Sequence, residues 1–133
     1  MPFEMYMLAA ATLLALLAFF PGSVFKMRAY GGMPWLASNR ELEKKPPLTG
    51  AAARAERAHA NFKENFPAFV AAILILVYSG HTGTGTAVAS AVFVLARILY
   101  IPAYIGGIPP LRTLMWGLGW GSTLYILAVA VFG

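Results

Sequence analysis

The chain has 133 residues, of which 59% are hydrophobic and only 11% charged, with ten Lys or Arg against five Asp or Glu. A soluble domain carries about 25% charged residues, so this composition argues against a soluble enzyme, a disordered regulator and a nucleic-acid binder, and the length allows one domain. The net charge of +5 accompanies long charge-free runs, the pattern of a membrane protein, and there is no cysteine, so any thiol chemistry must use a thiol brought in by a small molecule.

Met5 to Phe25 contains no charged residue. A helix of about 20 residues crosses a hydrocarbon core about 30 Å thick. The start, Met1-Pro2-Phe3-Glu4, lacks the basic residues of a signal peptide, and Lys26 and Arg28 follow the apolar run instead. The expectation is a retained first span over residues 5–25. Tyr30 to Gly50 then holds Gly31-Gly32, Pro34 and Pro46-Pro47 together with Arg40, Glu41, Glu43, Lys44 and Lys45, which predicts a hydrated connection. A second span is expected over 50–79, with Thr49 as N-cap. Gly80 to Gly85 reads as an uncharged turn around His81, a third span covers about 86–105, and Gly106-Gly107-Ile108-Pro109-Pro110 separates it from a fourth over 111–132. The fold class expected is all-α, a four-helix bundle integral to the membrane and forming one domain over residues 1–133.

With four spans, loops one and three share a side. Every Lys and Arg lies on or toward that side, and the His81 turn has none. The positive-inside rule then places those loops in the cytoplasm and both termini outside. The bilayer would be a bacterial-type inner membrane or an equivalent one.

The second span carries charge at depth. Pro67 to Ser79 makes only about 20 Å of helix at 1.5 Å per residue, so the crossing must extend back to about Ala60. That puts Asn61 and Glu64 in the hydrocarbon and Arg57 near its edge. At 100° per residue, Arg54, Arg57, Asn61 and Glu64 fall within roughly an 80° arc, continued by Ala68, Ala71 and Ala72. Ser90, Arg97, Tyr100 and Tyr104 share a similar arc on the third span, and Arg112 opens the fourth. Ionisable residues at membrane depth mark functional sites by default. Arg57, Arg97 and Arg112 outnumber Glu64, which predicts an anionic ligand held by guanidinium groups. The competing reading is structural, with Arg57–Glu64 and Arg97–tyrosine pairs fixing helix packing. His59 and His81 stand apart and predict no metal site. Gly117 and Gly121 have the spacing of a close helix contact. Trp116 and Trp120 suit an interface belt or a subunit contact. Phe62, Phe66 and Phe69 share a packing or lipid-facing side.

The run Arg54-Ala-Glu-Arg57-Ala-His-Ala-Asn61-Phe-Lys-Glu64-Asn-Phe-Pro67 resembles the helix-two signature of the MAPEG family, the membrane-associated proteins in eicosanoid and glutathione metabolism. Arg97-Ile-Leu-Tyr100-Ile-Pro-Ala-Tyr104 resembles its helix-three signature, and Pro46-Pro-Leu-Thr49 matches the loop before helix two in several members. The resemblance implies a homotrimer in membrane lipid that binds glutathione as co-substrate between adjacent subunits, with no metal and no nucleic-acid partner. It implies that Arg57, Asn61, Glu64, Tyr100 and Tyr104 hold the tripeptide, that Arg112 stabilises its thiolate, and that Lys26 or Arg28 reaches in from the neighbouring subunit. The activity implied is that of a transferase or peroxidase acting on a hydrophobic electrophile or lipid hydroperoxide. The alternative is a non-catalytic lipid-binding scaffold of the same fold. Asn65 departs from the pattern, since some glutathione-binding members carry tyrosine there.

Overall fold

The computed structural model describes residues 1–39 and 47–133. Arg40, Glu41, Glu43, Lys44, Lys45 and Pro46 of the first connection lie outside the described residues. The described elements are helices: α1 Phe3–Leu17, α2 Phe19–Ala29, the short α3 Met33–Leu36, α4 Gly50–Ser79, α5 Thr84–Ile105 and α6 Pro109–Phe132. α1 and α2 together form one apolar span of 27 residues, and α4, α5 and α6 are each long and apolar enough to cross a bilayer. The chain is an integral membrane protein, a four-helix bundle with no strand among the described residues.

The interruption at Ala18 follows from Pro21. Proline has no N–H for the carbonyl four residues earlier, and its ring crowds that carbonyl. Here the carbonyl is that of Leu17, the last residue of α1. At 30 residues, α4 is about 45 Å long, which exceeds the hydrocarbon core, so its first turns project beyond it. Thr49 occupies the N-cap position, but its hydroxyl makes no capping bond. Gly80 ends α4 with a left-handed φ of 75°, a conformation glycine adopts without Cβ strain.

The core forms where α4, α5 and α6 meet around the stacked rings of Phe69 and Phe93, whose centroids lie 3.8 Å apart. Ala72, Ile73, Leu76, Val94, Ile126 and Ala130 pack around them, and Ala11 adds the α1 side. Small residues let helices approach closely where apolar side chains gain nothing by leaving lipid. Gly117 and Gly121 have no side chain against them among the described residues. The glycine in the helix contact is Gly119, which lies against Arg97 and Phe93.

Two polar ties fix the ends of α5. At its start, Glu4 is 2% exposed, and its Oε1 accepts hydrogen bonds from Thr86 Oγ1 at 2.5 Å and from the Gly83 N–H at 3.3 Å. A carboxylate suits the positive end of a helix. At its end, Arg54 Nε donates to the Ile105 carbonyl at 2.8 Å, a cation against the unpaired carbonyls of a C-terminus. These ties join α1 to α5 on one side of the bundle and α4 to α5 on the other.

Candidate functional site

Near the Arg54 end of the bundle, α4, α5 and α6 surround a cavity of about 450 Å³. Arg57, Asn61 and Glu64 line it from α4, Tyr100 and Tyr104 from α5, and Arg112, Thr113 and Trp116 from α6. Helical spacing brings the α4 set to one face: Asn61 lies four residues after Arg57, and Glu64 three after that. Pockets that hold small molecules run from about 300 to 1,000 Å³.

Tyr104 is the hub of the charged end. Its hydroxyl accepts a hydrogen bond from Arg57 Nε at 3.2 Å. The Arg112 guanidinium lies 4.6 Å above its ring. Tyr100 meets Tyr104 edge to face at 5.5 Å. Glu64 is the carboxylate of the cavity and forms no ion pair within the described residues, where the pair found is Lys26–Glu56 at 3.0 Å. Arg57 and Glu64 are both exposed on the single chain. The structural pairing of Arg57 with Glu64 is therefore absent. Two guanidinium groups and one carboxylate face a common space, a charge pattern suited to a zwitterion with excess negative charge.

Arg97 does not line the cavity. It is 1% exposed, and its Nη2 donates to Asn61 Oδ1 at 3.0 Å. Its guanidinium lies 4.4 Å over the Tyr100 ring and 5.4 Å over that of Phe62. Its buried Nε has no hydrogen-bond partner among the described residues. Asn61 Oδ1 also accepts from Asn65 Nδ2 at 3.2 Å. With its oxygen engaged twice, Asn61 keeps its own Nδ2 as a donor for a ligand. Arg97 thus positions two lining residues, Asn61 and Tyr100, from behind.

Of the residues that the sequence nominates, Arg57, Asn61, Glu64, Tyr100, Tyr104 and Arg112 come together. Lys26 and Arg28 do not reach the cavity of their own chain: Lys26 pairs with Glu56, and Arg28 is exposed at the end of α2. The sequence reading leaves Thr113 and Trp116 out of the cavity. Trp116 carries a usable signal, since it lies four residues after Arg112 and so on the same face of α6.

A second, apolar groove of about 310 Å³ continues along the same seam between α4 and α6. Asn65, Ala68, Ala71 and Ile75 line it from α4, and Trp120, Thr123, Leu124 and Leu127 from α6. Trp116 of the cavity and Trp120 of the groove stack at 6.2 Å, one lining each space. The alanine stripe thus forms the wall of an apolar groove on the single chain.

The MAPEG family model matches residues 4–132, nearly the whole sequence. The chain belongs to the MAPEG family. Comparison with curated proteins gives no match. MAPEG membership carries a glutathione-related or kindred membrane function, and the cavity lies where the family's helix-two and helix-three signatures converge.

Proposed function

We propose that this MAPEG member is a glutathione-dependent membrane transferase or peroxidase acting on a hydrophobic electrophile or lipid hydroperoxide drawn from the bilayer. The observation that carries the reading is the cavity in which Arg57, Asn61, Glu64, Tyr100, Tyr104 and Arg112 meet, with an apolar groove also lined by α4 and α6. Glutathione has two carboxylates, one ammonium and a thiol. Glu64 suits the ammonium, Arg57 a carboxylate, and the free Asn61 Nδ2 a peptide or carboxylate oxygen.

Arg112 is the residue for the thiol. A free thiol has a pKa near 8.5, and a depression of about two units corresponds to about 2.7 kcal/mol of preference for the thiolate. A guanidinium in a poorly hydrated setting supplies stabilisation of that size. Once bound, glutathione contributes the nucleophilic sulfur that the cysteine-free chain lacks. The Arg57–Tyr104 bond and the Arg112–Tyr104 stacking anchor both guanidinium groups on one tyrosine, and in this reading one serves carboxylate and the other sulfur.

The exposure of Arg57 and Glu64 supports completion of the site by a neighbouring copy, and the proposed assembly is a homotrimer. Arg28 or Lys26 would then come from the adjacent subunit, Lys26 after leaving Glu56. The proposed topology sets the cavity toward the cytoplasm, with both termini outside.

Ultraviolet absorbance of bound thiolate tests the chemistry. Wild type titrated with glutathione should develop the thiolate band at neutral pH. Arg112→Ala should retain bound glutathione and lose most of the band. No band in a wild type that binds glutathione would remove the catalytic reading. The scaffold alternative, which the apolar groove alone supports, would then stand.

A further inference from the structure

The last turn of α5 leaves the carbonyls of Pro102, Ala103, Tyr104 and Ile105 without partners inside the helix. The turn that follows takes three of them. The Gly106 N–H donates to Pro102 at 2.8 Å, the Ile108 N–H to Ala103 at 3.1 Å and the Gly107 N–H to Tyr104 at 3.1 Å. The carbonyl of Ile105 accepts from Arg54 Nε of α4 at 2.8 Å. The same guanidinium lies against the turn, since a Cβ on Gly107, whose φ is +70°, would stand 3.5 Å from Arg54 Cζ. The turn leads directly into α6, where the Arg112 N–H donates to the Ile108 carbonyl at 3.0 Å. Arg54 does not line the cavity, yet it binds α4 to the segment that carries both Tyr104 and Arg112. One turn further along α4, Arg57 makes a second rung, to the Tyr104 hydroxyl.

We infer that Arg54 is a positioning residue for the thiolate: through the Ile105 carbonyl and the Gly106–Ile108 turn it fixes where Arg112 stands relative to Arg57, and it touches neither glutathione nor the hydrophobic substrate. Arg57 is exposed and belongs to the cavity, which leaves Arg54 as the tie between these helices that is made outside it. The attraction between a guanidinium and a thiolate falls with their separation. A displacement of about 1 Å can cost a catalytic group a hundredfold in rate, so a residue that only sets the place of Arg112 still governs what Arg112 does. A cation at the end of a helix also serves as a simple cap. Arg54 goes further than that, because the carbonyl it holds adjoins Tyr104 and the turn it packs against carries the start of α6. The inference rests on the glutathione-dependent reading for the thiolate, and on the hydrogen bonds alone for the link from Arg54 to the turn.

The test has two arms, and the first needs no glutathione. The chain has no cysteine, so spin labels on Thr49→Cys and Leu111→Cys, both exposed, report the distance from the start of α4 to the start of α6 by pulsed electron resonance in detergent. Wild type should give one narrow distribution, and Arg54→Met should broaden or shift it. In the second arm, the pH midpoint of the bound-thiolate band is measured. Arg54→Met should raise it by about one unit, a tenfold loss of thiolate on the acid side. The glutathione Kd at about pH 5.5, where the bound thiol is protonated, should stay within about twofold. Gly107→Ala, which strains the same turn and keeps the Arg54 charge, should move the midpoint in the same direction. In an Arg112→Ala background, Arg54→Met should move it no further, because the effect runs through Arg112. A further shift in that background would show a direct field of Arg54 on the sulfur. A lower Tm at an unmoved midpoint would show a cap and nothing more, and a weakened Kd at an unmoved midpoint would make Arg54 a ligand. Each of these overturns the inference, as does an unchanged distance distribution or a Gly107→Ala midpoint equal to wild type. If wild type binds no glutathione, the catalytic reading fails and the thiolate role falls with it, while the first arm still decides whether Arg54 sets the place of α6.

Discussion

Tyr104 is held by Arg57 at its hydroxyl and by Arg112 at its ring. Tyr104→Phe removes the first contact and keeps the second. The expected result is a glutathione Kd raised about fivefold, the worth of one hydrogen bond of about 1 kcal/mol, with an unchanged Tm. Arg97 should behave in the opposite way. Its guanidinium is buried and carries Asn61, so Arg97→Gln should lower the Tm in detergent and weaken glutathione binding together, whereas Arg57→Ala should weaken binding alone. Thermal unfolding alongside calorimetry separates the two. The sequence makes the α4 residues legible because helical periodicity places Arg57, Asn61 and Glu64 on one face. It leaves the role of Arg97 open, because periodicity also puts Arg97 on the arc of Tyr100 and Tyr104. Only the packing of Phe62 and Gly119 around it removes it from the cavity.

Among the elements, the boundaries show which signals hydropathy carries. The first helical span runs on to Ala29, past the expected end at Phe25, because a helix needs only backbone bonds and Lys26 and Arg28 do not break them. α5 begins at Thr84 and α6 at Pro109, each two residues ahead of the expected start. The first is closed by Thr86 and Glu4, and the second uses proline at the opening of a helix, where its missing N–H costs nothing. Glu4 gives no periodic signal, since a single carboxylate near the start of a chain reads as a solvated end. Its burial becomes visible only once α1 lies against α5. Glu4→Ala removes an acceptor that Thr86 and Gly83 share, while the Gly83 N–H keeps Thr86 Oγ1 at 2.9 Å and Thr86 turns to the Gly83 carbonyl at 3.0 Å, and it should destabilise the protein by about 1 kcal/mol. Glu4→Gln, which keeps one carbonyl oxygen for Thr86, should cost less. The Tm values of the two variants in one detergent check the order, and equal values would show that the tie contributes nothing.

For the whole molecule, the four-span bundle is legible because uninterrupted apolar length is a strong signal. The groove beside the cavity is not, since its walls come from two helices far apart in sequence whose relative rotation only packing sets. The proposed topology has a direct check, because the chain contains no cysteine. Thr82 and Thr49 are exposed near opposite ends of α4. In intact cells, a membrane-impermeant maleimide should label Thr82→Cys and reach Thr49→Cys only after permeabilisation. The reverse pattern would invert the topology. The central claim is that the cavity built around Arg57 and Glu64 binds glutathione, and calorimetric titration of the detergent-purified protein tests it most directly. The account predicts saturable binding in wild type and at least a tenfold loss in Arg57→Ala at unchanged Tm. Absence of binding to wild type at millimolar glutathione would contradict it.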